Sequence, residues 1–171
     1  MKKWGLVLMM IVLLSGCSVK SEAALETVTD GVETEPPVPY CIVFSVPEGM
    51  TRETFGDEGR CAVYEDAGGD YTITTEILDA TTVEAAAEQI SGIPAERLDI
   101  LTLCRSPMPE HHFAWSSTGE EGGTVSRCAM IESEDYYYVL TMTERTGLGS
   151  ALDETAEAVF SSFCLTEEET V

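Results

Sequence analysis

Hydrophobic and polar positions divide the chain into three main parts. An unbroken apolar run covers residues 4–14, and residues 18–39 then show no sustained apolar period. From residue 40 onward, short alternating runs are interrupted twice by apolar residues three and four positions apart. Alternation is typical of half-buried strands, whereas spacing of three and four is typical of amphipathic helices. The pattern predicts one domain over residues 40–166, followed by a short acidic tail at 167–171.

The alternating runs predict a mostly antiparallel sheet of about six to seven strands. The first strand starts at Tyr40 and stops at Pro47, and a hairpin with its turn at residues 67–69 follows. The turn segment EDAGGD spaces its acids like part of a calcium loop, but it lacks the full series of ligands, so a turn is favoured. Four later runs are joined by short connections, which indicates antiparallel neighbours. These runs are LDILTLC, HHFAWSS, TVSRCAMIE and YYYVLTMTE.

Two helices complete the predicted α+β domain. The first contains the apolar positions Val83, Ala86, Ala87 and Ile90, and we expect a capping box of Thr81 and Glu84 before it. The second runs from about Ser150 to Phe163, with Ser150 and Asp153 as its capping pair. Its apolar stripe consists of Leu152, Ala156, Val159, Phe160 and Phe163. Both helices are expected to pack on the single sheet.

The short connections also predict which residues share a face of the sheet. When the strands are paired about the centres of their loops, His111 lies opposite Cys104, and Phe113 neighbours Cys128. One apolar face then contains His111, Phe113, Trp115, Cys128, Met130, Tyr138, Leu140 and Met142. The opposite face contains Val125, Ala129, Ile131, Tyr137 and Val139. We therefore predict that Cys128 is a buried free thiol between Phe113 and Leu140.

The first 17 residues have the features of an export signal. Lys2 and Lys3 precede the apolar run, which is shorter than the roughly 20 residues that a membrane-spanning helix needs. The run ends in Leu14-Ser15-Gly16-Cys17, which resembles the cleavage box of bacterial lipoproteins. The resemblance implies a signal peptide at 1–16 and a lipid on Cys17. An ordinary secretory signal with a chance cysteine is the alternative.

Residues 17–39 are predicted to be the lipidated cysteine followed by a disordered acidic tether. The segment from 18 to 39 contains five acidic residues, one lysine and three prolines. Such a composition buries too little apolar surface to offset the entropy lost on ordering. The expected location is therefore the cell membrane, with the domain held by lipid and facing outside the cytoplasm.

The charge of the chain argues against one class of partner. Nine basic residues stand against 31 acidic residues, for a formal net charge of −22. Residues 40–166 contain six arginines and no lysine against 23 acidic residues. Nucleic acid is excluded as an expected partner, because phosphate binding depends on clustered basic residues. The remaining expected partners are the membrane, through the lipid on Cys17, and an envelope protein or cell-wall component.

Five cysteines remain besides Cys17. They are Cys41, Cys61, Cys104, Cys128 and Cys164. Export permits disulfides, but an odd number leaves at least one thiol free within the chain. No two of them form a C-x-x-C motif, so neither a redox motif nor a zinc knuckle is indicated. The sequence leaves open whether any of them pair.

The two ends of the domain resemble the PsbP-like α-β-α sandwich. The resemblance rests on YCIVFSVPEGM near the start and on DETAEAVFSSFCL near the end, together with the order of the elements. It spans residues 40–166. It implies a fold whose members are mostly non-enzymatic adaptors or assembly factors, and it brings no catalytic residues.

The candidate chemistry is limited to a few residues. The predicted register places Cys104 opposite His111, with Glu110 adjacent in sequence, which is the beginning of a nucleophilic or metal site. His112 is expected on the opposite face, because neighbouring strand residues alternate. No oxyanion hole, catalytic motif or cofactor motif accompanies these residues, so we assign no catalytic residue, metal ligand or cofactor.

The sequence thus predicts a membrane-anchored, extracytoplasmic lipoprotein that acts as a non-catalytic binding or assembly module. The alternative is a small extracytoplasmic hydrolase or metal-binding site built around Cys104, His111 and Glu110.

Overall fold

The alternating runs form strands, and the two runs with helical spacing form helices, in a computed structural model that describes residues 40–56, 60–104, 107–119, 122–133 and 135–167. The strands are β1 (Tyr40–Val43), β2 (Thr51–Phe55), β3 (Cys61–Glu65), β4 (Tyr71–Leu78), β5 (Leu101–Cys104), β6 (Pro109–Gly119), β7 (Gly122–Glu132), β8 (Tyr137–Arg145) and β9 (Cys164–Glu167). The helices are α1 (Val83–Ser91) and α2 (Asp153–Ser161). The predicted signal peptide, Cys17 and the tether lie outside the described residues.

Seven strands form one antiparallel sheet in the order β2-β3-β4-β8-β7-β6-β5. β1 and β9 pair separately as a two-stranded antiparallel ribbon. The central strand β8 is buried along almost its whole length, because both faces of the sheet are covered there. The predicted α+β class, with a mostly antiparallel sheet and two helices packed on it, is confirmed.

Helix α1 covers one face of the sheet, which we call the α1 face. Ala86 and Ala87 of the helix pack there against Phe113, Cys128 and Val139. Small alanine side chains allow the helix to approach the sheet closely, while the larger residues of the strands fill the layer between them. The partly buried residues Val83, Ile90, Leu98, Ile100 and Trp115 border this cluster.

Helix α2 and the β1–β9 ribbon cover the other face, which we call the ribbon face. Ala156, Val159 and Phe163 pack there against sheet residues that include Ile73 and Leu140. Phe44, just after β1, lies 5.2 Å from the ring of Tyr64 on β3, in an edge-to-face arrangement. The centre of the sheet is therefore enclosed by helical or ribbon layers on both sides.

The predicted faces are correct for β6 and β7 but wrong for β8. Phe113 lies opposite Cys128, as predicted, but Thr141 rather than Leu140 lies on the other side of Cys128. Tyr137 and Val139, rather than Tyr138, Leu140 and Met142, share the α1 face. The β7–β8 turn contains four residues, with the Ser133 amide donating to the Tyr136 carbonyl at 2.9 Å. A one-residue error in the loop length moves every side chain of a strand to the opposite face.

Two strands were not predicted, and the first predicted strand is not part of the main sheet. β2 is exposed at every position, so it lacks the alternation by which a strand is recognised. β9 is only four residues long, and it includes Glu167, which we had assigned to the acidic tail. The rest of that tail, residues 168–171, lies outside the described residues.

The apolar stripes of both helices are as predicted, but the caps differ. Thr82, rather than Thr81, caps α1, and its hydroxyl accepts a hydrogen bond from the Ala85 amide at 3.2 Å. Glu84 is then the second residue of the helix, one position too early for a capping box. Gly92 ends α1 in the left-handed conformation, with φ of 67°. α2 starts at Asp153 after a 3₁₀ turn, without a side-chain cap.

The segment 65–70 forms a hairpin turn between β3 and β4. The Asp66 carboxylate accepts hydrogen bonds from the amides of Gly68 and Asp70, at 2.9 and 3.4 Å. These bonds occupy the side chain that a calcium loop would direct at the ion, so the turn interpretation is supported. Neither of the helices in the described ranges is long and apolar enough to span a bilayer.

Candidate functional site

The three candidate residues Cys104, His111 and Glu110 do not form one site. Cys104 is exposed on the edge strand β5 and lies opposite Pro109, while His111 lies opposite Thr102. The predicted register was wrong by two residues, because β6 begins at Pro109 instead of after Glu110. A proline is tolerated as the first residue of a strand, where its missing N–H breaks no ladder hydrogen bond.

His111 is held by hydrogen bonds on both ring nitrogens. Its Nδ1 lies 3.0 Å from the Thr102 hydroxyl on β5, and its Nε2 lies 3.1 Å from the Glu132 carboxylate on β7. Only 6% of the side chain is exposed. Because a carboxylate accepts and does not donate, Nε2 donates to Glu132, while Nδ1 and the threonine hydroxyl share the second hydrogen bond. His111 therefore links three strands on the α1 face and has no nitrogen left for a substrate.

Glu110 pairs instead with His112, on the ribbon face. The Oε1 atom of Glu110 lies 2.6 Å from Nε2 of His112. The glutamate side chain is 3% exposed and the histidine side chain is 29% exposed. A buried carboxylate in this position fixes the orientation of the imidazole ring. Residues two apart on a strand share a face, so the segment Glu-His-His already contained the signal for this pair.

A groove lies beside this pair, between the end of α2, β9 and the β5–β6 connection. Its volume is about 640 Å³. Apolar side chains contribute most of its walls, and the Glu110 carboxylate lies among them. The lining residues are Tyr40, Pro107, Met108, Glu110, Ile131, Ser161, Ser162, Phe163, Cys164, Leu165 and Glu167. A second cavity of about 610 Å³ shares Tyr40, Pro107 and Met108 with the groove and extends to Glu132 and Asp135.

The ribbon face remains open beyond the groove, over β5 and β6. Leu101 lies opposite His112 and Leu103 lies opposite Glu110, so the two leucines share this face with the acid–histidine pair. Leu101 is 60% exposed and Ala114 is also exposed. We call Leu101, Leu103, His112 and Ala114 the open strip. It is an apolar surface with one imidazole, on the edge of the sheet that α2 and the ribbon do not cover.

The ribbon presents its second edge to the groove. β1 lies toward β3 and β8, since the Tyr40 ring lies 5.9 Å from the Tyr138 ring and Phe44 contacts Tyr64. β9 lines the groove through Cys164, Leu165 and Glu167. Among the strands that the structure describes, β9 pairs only with β1. The outer edge of β9 therefore faces the groove.

The cysteines that the structure describes are separate thiols and do not form a nucleophilic centre. All five that the structure describes are free thiols. Burial raises the pKa of Cys128 to about 12, and burial together with the Glu76 carboxylate raises the pKa of Cys61. A raised pKa leaves little thiolate, which is the nucleophilic form. Within the described ranges, no three His, Cys, Asp or Glu side chains converge as a metal site.

The three consecutive tyrosines at the end of the β7–β8 turn and the start of β8 belong to the interior. Tyr136, Tyr137 and Tyr138 are all buried, including Tyr138, which we expected in the core. Burial raises the pKa of Tyr138 to about 12. The guanidinium of Arg60 lies 5.5 Å from the centre of the Tyr136 ring. These rings therefore pack in the interior at this end of the sheet, with Tyr137 and Tyr138 on opposite faces.

No protein-family model and no curated protein sequence matches the chain. Among solved structures, the cyanobacterial PsbP of Synechocystis (CyanoP) is similar with a TM-score of 0.51 and 9% identity, over 80% of this chain and 96% of that one. Mycobacterium tuberculosis LpqN, described as involved in cell envelope biogenesis, has a TM-score of 0.49 and 13% identity, over 78% of this chain and 87% of that one. A Bacteroides thetaiotaomicron structure has a TM-score of 0.49 and 8% identity, over 75% of this chain. This chain spans only 46% of the length of that structure. The similarity to cyanobacterial PsbP shows that the fold is PsbP-like.

Proposed function

We propose that this chain is an extracytoplasmic lipoprotein, anchored by lipid on Cys17, that acts as a non-catalytic binding or assembly module. Its partner is an envelope protein or a cell-wall component. The acidic tether of residues 18–39 gives the domain reach from the membrane. About 22 flexible residues have a root-mean-square span of roughly 25 Å.

The support for the anchor comes from the N-terminal sequence. The box Leu14–Cys17 follows a short apolar run and two lysines in the order that a lipoprotein signal requires. Two or more acyl chains on one cysteine make release from a membrane slow, so no basic patch is needed. A strongly acidic domain contributes no attraction to an anionic bilayer.

The anchor is tested by mass spectrometry of the membrane fraction from the source cell. We expect a mature chain that begins at Cys17 and carries acyl mass, and we expect Cys17→Ser to be released or left unprocessed. An intact signal peptide, or a Cys17 without acyl mass, contradicts the proposal.

The single observation that supports a binding role is the open strip next to the groove. Leu101 is 60% exposed on this strip, and mostly apolar side chains line the neighbouring groove, on a domain that is otherwise strongly charged. Such surfaces on soluble domains are typical of partner or ligand sites. The hydrolase or metal alternative required Cys104 beside His111, and the observed pairing separates them, so we do not propose it.

The binding role is tested with a photo-crosslinking residue at Ala114, in the full chain expressed in its own membranes. Ala114 is exposed within the open strip, and Glu96, exposed in the 3₁₀ turn after α1, is the control position. We expect a discrete adduct from position 114 and none from position 96. Equal adducts from both positions, or none from position 114, contradict a binding role for this surface.

A further inference from the structure

We propose that the groove takes an extended peptide segment of the partner, which adds a third strand to the ribbon along the outer edge of β9. The segment carries apolar side chains at every second position and basic residues at the end that meets Glu167. This inference rests on the proposed binding function and names the chemistry of the partner.

The backbone of β9 supplies the first part of the argument. β9 pairs with β1 through Cys164 to Glu167, and among the described strands nothing pairs with its other edge. An edge strand presents unpaired N–H and C=O groups, which is the surface that strand addition uses. Here that edge borders a groove instead of open solvent. An added strand is therefore supported on one side by hydrogen bonds and beneath by side chains.

The apolar floor supplies the second part. Alternate residues of a strand point to the same side and lie about 6.6 Å apart. Those that point toward the sheet meet Met108, Ile131 and Leu165. The floor therefore selects apolar residues at every second position.

The charge of the rim supplies the third part. Glu167 lies on the groove, and Glu132 and Asp135 lie on the adjoining cavity. No lysine or arginine occurs among the described lining residues of either cavity. Electrostatic complementarity therefore favours basic residues at the end of the segment that meets these acids. A second copy of this chain is disfavoured, because it brings another formal charge of −22.

The test begins with a library of random nonapeptides, selected on the full chain in neutral detergent. We expect the selected peptides to carry apolar residues at every second position and basic residues near one end. The best of them is then synthesised in two analogues, N-methylated at either the odd or the even backbone nitrogens. In an added strand only one set of amides points at β9, so one analogue should bind roughly tenfold or more weakly while the other keeps its affinity.

Two further measurements locate the peptide. Amide hydrogen exchange of Cys164–Glu167 should slow when the peptide binds. Glu167→Lys should weaken binding by roughly tenfold, whereas Glu96→Lys, which changes the net charge equally at a distant exposed site, should have little effect.

The inference is overturned if no peptide is selected, if the selected peptides lack apolar residues at every second position, or if both methylated analogues bind equally. It is also overturned if the exchange of β9 is unchanged. An Ala114 adduct in cells together with any of these results leaves the binding function in place and removes only the strand addition.

Discussion

His111 and His112 are adjacent on β6, and each pairs with a carboxylate, yet their surroundings differ. His111 points into the α1 face, where both its ring nitrogens are bonded and the side chain is 6% exposed. His112 points to the ribbon face, where it lies beside a groove and is 29% exposed. Histidine thus links strands on the α1 face and borders a candidate binding surface on the ribbon face. Substitutions in the α1 face should therefore lower the stability of the domain, and substitutions in the open strip should weaken binding.

The largest expected effect is that of a charge placed in the α1 face. Cys128→Asp should prevent folding, because the residue is 2% exposed and an unpaired carboxylate cannot be desolvated there. Cys104→Asp places the same group on an exposed position of β5 and should leave the fold intact. Circular dichroism during thermal unfolding distinguishes them. A cooperative transition for Cys128→Asp close to that of the wild type contradicts the packing of this face.

The reactivity of the Cys128 thiol is a second test of the burial of the α1 face. With its pKa raised from 9.0 to about 12, the thiol should react two to three orders of magnitude more slowly than a free peptide cysteine near pH 8. Labelling of the native chain followed by peptide mass spectrometry measures this rate. Rapid labelling, or a disulfide at Cys128, would show that the α1 face is open.

The same pKa shift predicts a pH dependence of stability. Because the folded state disfavours the thiolate, the contribution of Cys128 is complete below pH 9.0 and is lost as the pH rises toward about 12. Relative to Cys128→Ala, the wild type should lose roughly 1 kcal/mol of unfolding free energy between about pH 8 and pH 10. Urea unfolding of both chains at the two pH values measures it. A constant difference between them contradicts the assigned burial.

Matched substitutions of the two histidines should have smaller and unequal effects. Glutamine reproduces the reach of Nε2 but not the bond at Nδ1, so His111→Gln loses the Thr102 bond and should cost about 1–2 kcal/mol. His112→Gln keeps a donor for Glu110 and should lower the free energy of unfolding by about 0.5 kcal/mol or less. Urea unfolding at neutral pH compares them. Equal losses of unfolding free energy would contradict the difference in burial between the two faces at β6.

The sequence predicted those parts of the fold that depend on local periodicity. The helical stripes, the β3–β4 hairpin and the pairing of Phe113 with Cys128 follow from residue spacing and from a short glycine-containing connection. The register failed where residue type misled. Tyr136 has strand propensity but lies in a turn, and Pro109 has turn propensity but begins a strand.

The candidate site was only partly predictable. The Glu110–His112 pair follows from strand alternation alone, although we linked Glu110 to the wrong histidine. The groove depends on β1 pairing with β9, which joins Tyr40 to Glu167 at opposite ends of the domain. β9 is too short and too polar to be recognised from its own residues. Long-range pairing of this kind leaves no local pattern in the sequence.

The binding role of the open strip is tested most directly by the Ala114 crosslink in two matched variants. Leu101 and Phe55 are exposed apolar residues, 60% and 49% exposed, on the opposite edge strands of the same sheet. Aspartate at either position should change stability by less than about 0.5 kcal/mol. We predict that Leu101→Asp abolishes the adduct and that Phe55→Asp leaves its yield unchanged. An adduct that survives Leu101→Asp, or that both variants reduce equally, would contradict the assignment of the open strip as the binding surface.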